Sequence, residues 1–383
     1  MTDDAHLHTP AGRPRARALG IPFDGTPGAA NAITDVPGVE LGYATLIAGE
    51  GPLVVGGGPV RTGVTAIHPR GRADPGTPCA AGFSSLNGNG EMTGTVWIEE
   101  AGARSLPITI TNTHSVGIAQ EATIAWTTER HPQLTGVWAL PVAAETWDGY
   151  LNDINGRHVT KDVVFAALDG ARGGPVEEGS VGGGTGMNCY HFKGGSGTAS
   201  RLVRHGPDGY TVGVFLQANF GARRELVVAG VPVGRELLDD DPMEDPSWLA
   251  PAGAGSVIAI VATDAPLLPG QCKALARRVP LGLARTGTTG SHFSGDIFLA
   301  FSTANHGQLA LGLGGEEGGY GSLRFVPWTA LDPFFEAVVH ATEEAVLNAL
   351  CAAEEMIGVN GRRSPGLPHD RITEMLRARG VSR

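Results

Sequence analysis

Apolar positions along the chain fall into short runs separated by glycine, proline and polar clusters. Thr62–Ile67, Thr95–Ile98, Pro107–Thr111 and Val137–Leu140 are rich in β-branched and apolar residues and read as strands. Tyr210–Leu216 reads as another, ending at Gln217-Ala218-Asn219-Phe220-Gly221. Ser256-Val257-Ile258-Ala259-Ile260-Val261-Ala262 is a continuous apolar run, the pattern of a strand buried on both faces. Ser294-Gly295-Asp296 leads into a second such run, IFLAFST. Helical spacing starts near Ser115, runs through IAQEATIAWTTER and ends before Pro132. A second helix is predicted over about 270–285, and a short one over about 369–378. The longest begins at Asp332 as N-cap with Pro333 at the first position, and Phe334, Phe335, Val338, Val339, Ala345, Val346 and Leu350 recur at helical spacing. Buried strands combined with amphipathic helices predict a layered α/β architecture. Residues 235–255, RELLDDDPMEDPSWLAPAGAG, interrupt the pattern: acidic, proline-rich and aperiodic. The chain that follows lacks the strands for a complete sheet of its own, so residues 19–383 are expected to form one domain that crosses this loop.

Composition narrows the function. Glycine is the outlier, 58 of 383 residues, about twice the usual share. Its densest stretch, 171–198, contains Gly182-Gly183-Gly184-Thr185-Gly186 and Gly194-Gly195-Ser196-Gly197, but neither GxxxxGK[ST] nor a strand–GxGxxG–helix context accompanies it. These glycines are read as turns and close packing, not as a phosphate cradle. A net charge of -11 with 28 basic residues argues against nucleic acid as a partner. Cys79, Cys189, Cys272 and Cys351 form no CxxC pair, and the twelve histidines form no HExxH, so no metal site is expected. The N-terminus has no apolar core of a signal peptide, and no apolar run approaches the roughly 18 residues of a membrane span. Reduced thiols, no membrane contact and a cytoplasmic location follow as expectations, with residues 1–18 as a loose tail.

GxSxG is absent, and no Ser–His–Asp set is identifiable. Gly253-Ala254-Gly255-Ser256 offers another route to a serine nucleophile. If the Gly255–Ser256 bond is cut, Ser256 gains a free α-amine, whose reference pKa near 8 lets it act as base for its own hydroxyl. Before the cut, the same hydroxyl attacks the Gly255 carbonyl, and glycine leaves that carbonyl free of a Cβ. On these residues alone, a Gly-Ser step before a strand is ordinarily only a loop.

Longer motifs change that weighting. GSVIAIVATDAPLLP is followed by SGDIFLAFSTAN, 38 residues after its serine. With NAITDVPGVELGYA, ETWDGYLNDI, VGGGTGMNCYHFKGGSGTASR, FLQANFG and ATEEAVLNALCAAE, they resemble the L-aminopeptidase/D-esterase family, which includes the β-aminopeptidases. The resemblance runs from about residue 20 to about 358. It implies a four-layer αββα sandwich, self-cleavage between Gly255 and Ser256, and hydrolysis of short peptides, amides or esters that carry a free amino group. No cofactor is implied. The assembly implied is a homo-oligomer, a tetramer of processed heterodimers. Ser256 would be the nucleophile. Ser294 would relay the proton near the new amine, oriented by Asp296, where relatives carry Glu. Asn219 would donate to the oxyanion. Glu145 would bind the substrate's amino group, and Trp147, standing where relatives carry Tyr, would shape the pocket. Two other classes compete: an acyltransferase of the ornithine-acetyltransferase type, and an inert binding protein that keeps the fold.

Overall fold

The computed structural model describes residues 2–244, 255–309 and 320–381. The main strands, in chain order, are β1 Glu40–Ala48, β2 Val60–His68, β3 Cys79–Gly88, β4 Ala103–Arg104, β5 Ile108–Asn112, β6 Val142–Thr146, β7 Asn188–Cys189, β8 Phe192–Lys193, β9 Gly195–His205, β10 Asp208–Asn219, β11 Ser256–Thr263 and β12 Gly295–Ser302. The helices are α1 Thr2–Leu7, α2 Thr95–Ala101, α3 Val116–Arg130, α4 Lys161–Asp169, α5 Pro269–Ala276, α6 Val279–Arg285, α7 Asp332–Ala352 and α8 His369–Ala378. One mixed sheet has the order β1-β2-β5-β6, the other β4-β3-β12-β11-β10-β9. β7 and β8 form a small separate hairpin.

Alternation along the strands explains the layers. In β11, Ile258, Ile260 and Ala262 enter the core between the sheets, where they join Ile108, Ile110 and Val142 of the other sheet. Val257, Ala259 and Val261 point the other way, into a core shared with α7 residues such as Phe334, Val338 and Leu350. Both faces of β11 are therefore buried, as its unbroken apolar run requires. A third core, with Ala119, Ala122 and Trp126 of α3 and Val164 and Leu168 of α4, covers the outer face of the first sheet. The result is the expected αββα sandwich.

Three local expectations are corrected. Thr95–Ile98 is the start of α2, not a strand. Gly94 and Gly102, both left-handed, bracket a two-turn helix, and β4 takes the free edge of β3 instead. Val137–Leu140 is irregular, and the strand begins only at Val142. The predicted 270–285 helix is two, because Pro280 has no N–H to continue a helix and sits in the first turn of α6.

The expected loose tail at 1–18 is also corrected. Arg15 is buried and pairs with buried Glu178 at 2.6 Å, while Arg17 pairs with Glu344 of α7 at 2.6 Å. The arginines that make this segment look solvated are counter-charges for two buried carboxylates. The glycine-dense stretch packs as read. Gly182–Gly184 forms a turn wedged between the sheets, where a Cβ on Gly183 would overlap Gln217 of β10 and the backbone of Ile110 in β5. All four cysteines are free and buried. Among the described residues no helix is long and apolar enough to cross a membrane, and no group of three or more His, Cys, Asp or Glu is placed to hold a metal ion.

Candidate active site

Register brings the expected residues to one end of the six-stranded sheet. Asn219 at the end of β10 pairs with Ser256 at the start of β11, and Ser256 pairs with Gly295 at the start of β12. Gly295 in turn pairs with Gly88 at the end of β3. Ser256 shares its strand face with Ile258 and Ile260, so its side chain points toward the other sheet. There β6 ends at Thr146, and the next residue supplies the partner: the Trp147 backbone N–H donates to Ser256 Oγ at 3.3 Å. Buried Gln217 ties the two sheets together beside the site, donating to the Thr111 carbonyl at 3.1 Å and to Thr146 Oγ1 at 2.7 Å.

A second donor meets the same oxygen. Asn219 Nδ2 lies 3.5 Å from Ser256 Oγ and donates to the Trp147 carbonyl at 2.9 Å. Its Oδ1 accepts the Asn188 backbone N–H at 2.9 Å, which fixes which end of the amide faces Ser256. Ser256 is only 3% exposed, so both donors act where water screens little. The carbonyl of Gly255 accepts the Gly295 N–H at 3.1 Å. A Cβ at position 255 would overlap the backbone carbonyl of Asn219, so only glycine fits there.

Ser294 and Asp296 bracket Gly295. Ser294 Oγ donates to Asp296 Oδ1 at 2.5 Å, and Asn87 Nδ2 donates to Oδ2 at 3.0 Å. Burial pushes the Asp296 carboxyl up, against the opposing pull of these two hydrogen bonds. Among the described residues no hydrogen bond joins Ser294 or Asp296 to Ser256 Oγ; the pair sits one residue either side of the position opposite the serine.

Glu145, in β6, is 2% exposed. Its carboxylate accepts the Glu91 backbone N–H at 2.8 Å and the Thr113 hydroxyl. Burial raises its pKa, and the nearby Glu91 charge adds to that. Gly90 packs against this group: a Cβ there would sit 3.1 Å from the Gly295 Cα and 3.2 Å from Glu145 Oε1. Trp147 and Phe293, each more than a third exposed, present large apolar surfaces on residues adjoining this group. Residue patterns missed several participants. Asn87 near the end of β3, Asn188 at the start of β7 and Thr113 in the turn after β5 meet partners set by tertiary register, and the Trp147 donor is backbone, which has no side-chain signature.

The model of peptidase family S58 matches residues 31–364. The chain belongs to peptidase family S58. Among its relatives, β-peptidyl aminopeptidase BapA of Sphingosinicella microcystinivorans is 50% identical over 372 residues, which cover 95% of this chain and 92% of that one. A protein of the same name from Sphingosinicella xenopeptidilytica is 46% identical over 96% of this chain and 92% of its own. The solved L-aminopeptidase D-Ala-esterase/amidase of Ochrobactrum anthropi superimposes with a TM-score of 0.89 at 45% identity, covering 97% of this chain and 100% of that one. It is described as a prototype of the serine aminopeptidases and a variant of the Ntn-hydrolase fold. Membership in S58 makes the chain a peptide hydrolase, and the αββα sandwich is the architecture it shares with these neighbours.

Proposed function

We propose that this S58 peptidase is a self-processing aminopeptidase that releases amino-terminal residues from short peptides, amides or esters through an acyl-enzyme on Ser256. The observation that carries the reading is the convergence of two N–H donors, from Trp147 and Asn219, on the oxygen of a buried serine at the head of β11. In self-cleavage, Ser256 Oγ attacks the Gly255 carbonyl carbon, whose oxygen the Gly295 N–H already polarises. The C–N bond breaks as the C–Oγ bond forms, the nitrogen takes the hydroxyl proton, and water then hydrolyses the ester. The freed α-amine becomes the general base for the same hydroxyl.

In turnover, Ser256 Oγ attacks the substrate carbonyl, and Trp147 N–H and Asn219 Nδ2 receive the negative charge that forms on its oxygen. The α-amine takes the Ser256 proton and passes it to the leaving group while the Ser294–Asp296 pair orients the resulting ammonium; water, deprotonated by the same amine, then hydrolyses the acyl-enzyme, and the proton returns to Ser256 Oγ. Glu145 binds the substrate ammonium, in keeping with the free amino terminus that the names of the relatives imply. Assembly as a homo-oligomer of processed heterodimers completes the proposal, and light scattering on the native enzyme checks it.

Intact-mass analysis tests the core of it. The expected result is two polypeptides, residues 1–255 and 256–383, with Ser256 at a new amino terminus. Ser256→Ala should remain one chain and lose activity on β-, L- and D-aminoacyl p-nitroanilides. A wild-type protein that stays intact, or an alanine variant that is still cut, overturns it.

A further inference from the structure

Lys193, at the end of β8, is completely buried and has no part in the chemistry proposed above. Its ammonium sits in a nest of backbone carbonyls: Met187 O at 2.6 Å, Gly194 O at 2.9 Å and Gly184 O at 3.5 Å. Three donors meeting three acceptors close the glycine-rich turn 184–194 around one side chain. This turn carries Asn188, whose backbone N–H holds the Asn219 amide. It also carries Met187, whose sulfur accepts the Thr146 hydroxyl at the end of β6. Burial pulls the Lys193 pKa down to about 7, and buried Asp148, the neighbour of Trp147 in sequence, opposes that fall. Lys193 thus contacts Met187, which accepts the Thr146 hydroxyl, and lies opposite Asn188 in the β7–β8 hairpin.

We propose that Lys193 is a positioning residue for the oxyanion hole, acting through the 184–194 turn on Asn188 and hence on Asn219. The proposal rests on the reading of Asn219 as an oxyanion donor. Burying a charge to fix a turn is costly, and an apolar side chain of the same length would fill the space without that cost. What the ammonium adds is a fixed placement of the Asn188 N–H, and small displacements of such groups slow catalysis by up to about a hundredfold.

A double-mutant cycle with Lys193→Met and Asn219→Ala tests it. Methionine keeps the volume, and two of the three carbonyls retain backbone partners: Met187 O takes the Gly194 N–H and Gly184 O takes the Met187 N–H. Lys193→Gln, which still donates, stands in if the methionine variant does not fold. Each rate is normalised to the cleaved fraction. Asn219→Ala is expected to lower kcat by about a hundredfold or more. Lys193→Met should lower kcat by about tenfold with KM little changed, but should add nothing in the Asn219→Ala background. A full further tenfold loss in the double variant overturns the positioning role while leaving the Asn219 reading intact. An Asn219→Ala enzyme of undiminished kcat sinks that reading instead. Should Lys193→Met stay uncleaved, the spectrum of the intact chain labelled with 15N-asparagine decides. A displaced Asn219 side-chain signal supports the role, and an unmoved one ends it.

Discussion

At the scale of single residues, the two donors to Ser256 differ in what mutation can reach. Asn219 donates through its side chain, so Asn219→Ala removes the donor and is expected to lower kcat by about a hundred- to a thousandfold, roughly 3–4 kcal/mol of transition-state stabilisation. Trp147 donates through its backbone, and its ring is 37% exposed. Trp147→Phe therefore keeps the donor. Its expected effect is on KM, with kcat within about threefold of wild type. Steady-state kinetics on one p-nitroanilide separates the two, and a large kcat loss in Trp147→Phe would mean that the indole itself acts on the reacting atoms. Ser256, Asn219 and Trp147, which the fold brings together, lie in motif-sized stretches that single them out in the sequence, as do Ser294, Asp296 and Glu145. Asn188 and Asn87 do not stand out, since each acts only through a partner that is remote in sequence, Asn219 or Asp296.

At the scale of elements, strands with both faces buried were the easiest to read. β11 and β12 are apolar without interruption because each contributes to two cores. Amphiphilic and short elements were harder. The Thr95–Ile98 run has strand composition, yet only Ile98 of α2 is buried, and flanking glycines decide its form. The N-terminal segment was the largest misreading, because charge alone does not tell a solvated arginine from a buried counter-ion. Arg15 donates to Glu178 and to the carbonyls of Ala30, Asn31 and Thr198, stitching the segment to β9. Arg15→Met strips the buried Glu178 of its counter-charge and should destabilise the protein by about 3–5 kcal/mol. Adding Glu178→Gln should recover most of that loss. Thermal denaturation of both variants checks it: a single variant that melts like wild type would show that this pair does not hold the segment.

At the scale of the whole molecule, four layers place Ser256 where two sheets meet, and the outer layers set how that scaffold responds to acid. His68 is fully buried in β2 beneath the α3–α4 layer, with its ring edge-on to Trp126. Its Nε2–H donates to the Leu168 carbonyl at 3.1 Å, while Nδ1 has no hydrogen-bond partner among the described residues. Burial pulls its pKa down to about 4, far below the ordinary value of 6.5. The folded state thus holds the neutral ring, and the unfolded chain binds a proton first as pH falls. Stability that His68 leaves untouched above pH 6.5 is lost progressively from there down to about pH 4, to a total on the order of 3 kcal/mol. Below pH 4 both states are protonated and the loss levels off. His68→Gln, which keeps a donor for Leu168 and cannot titrate, should flatten the stability curve between pH 6.5 and 4 whatever its effect at pH 8. Urea denaturation of wild type and variant at pH 8, 6, 5 and 4 measures this. Parallel curves over that range would show that acid enters the molecule elsewhere and that the α3–α4 layer is indifferent to it.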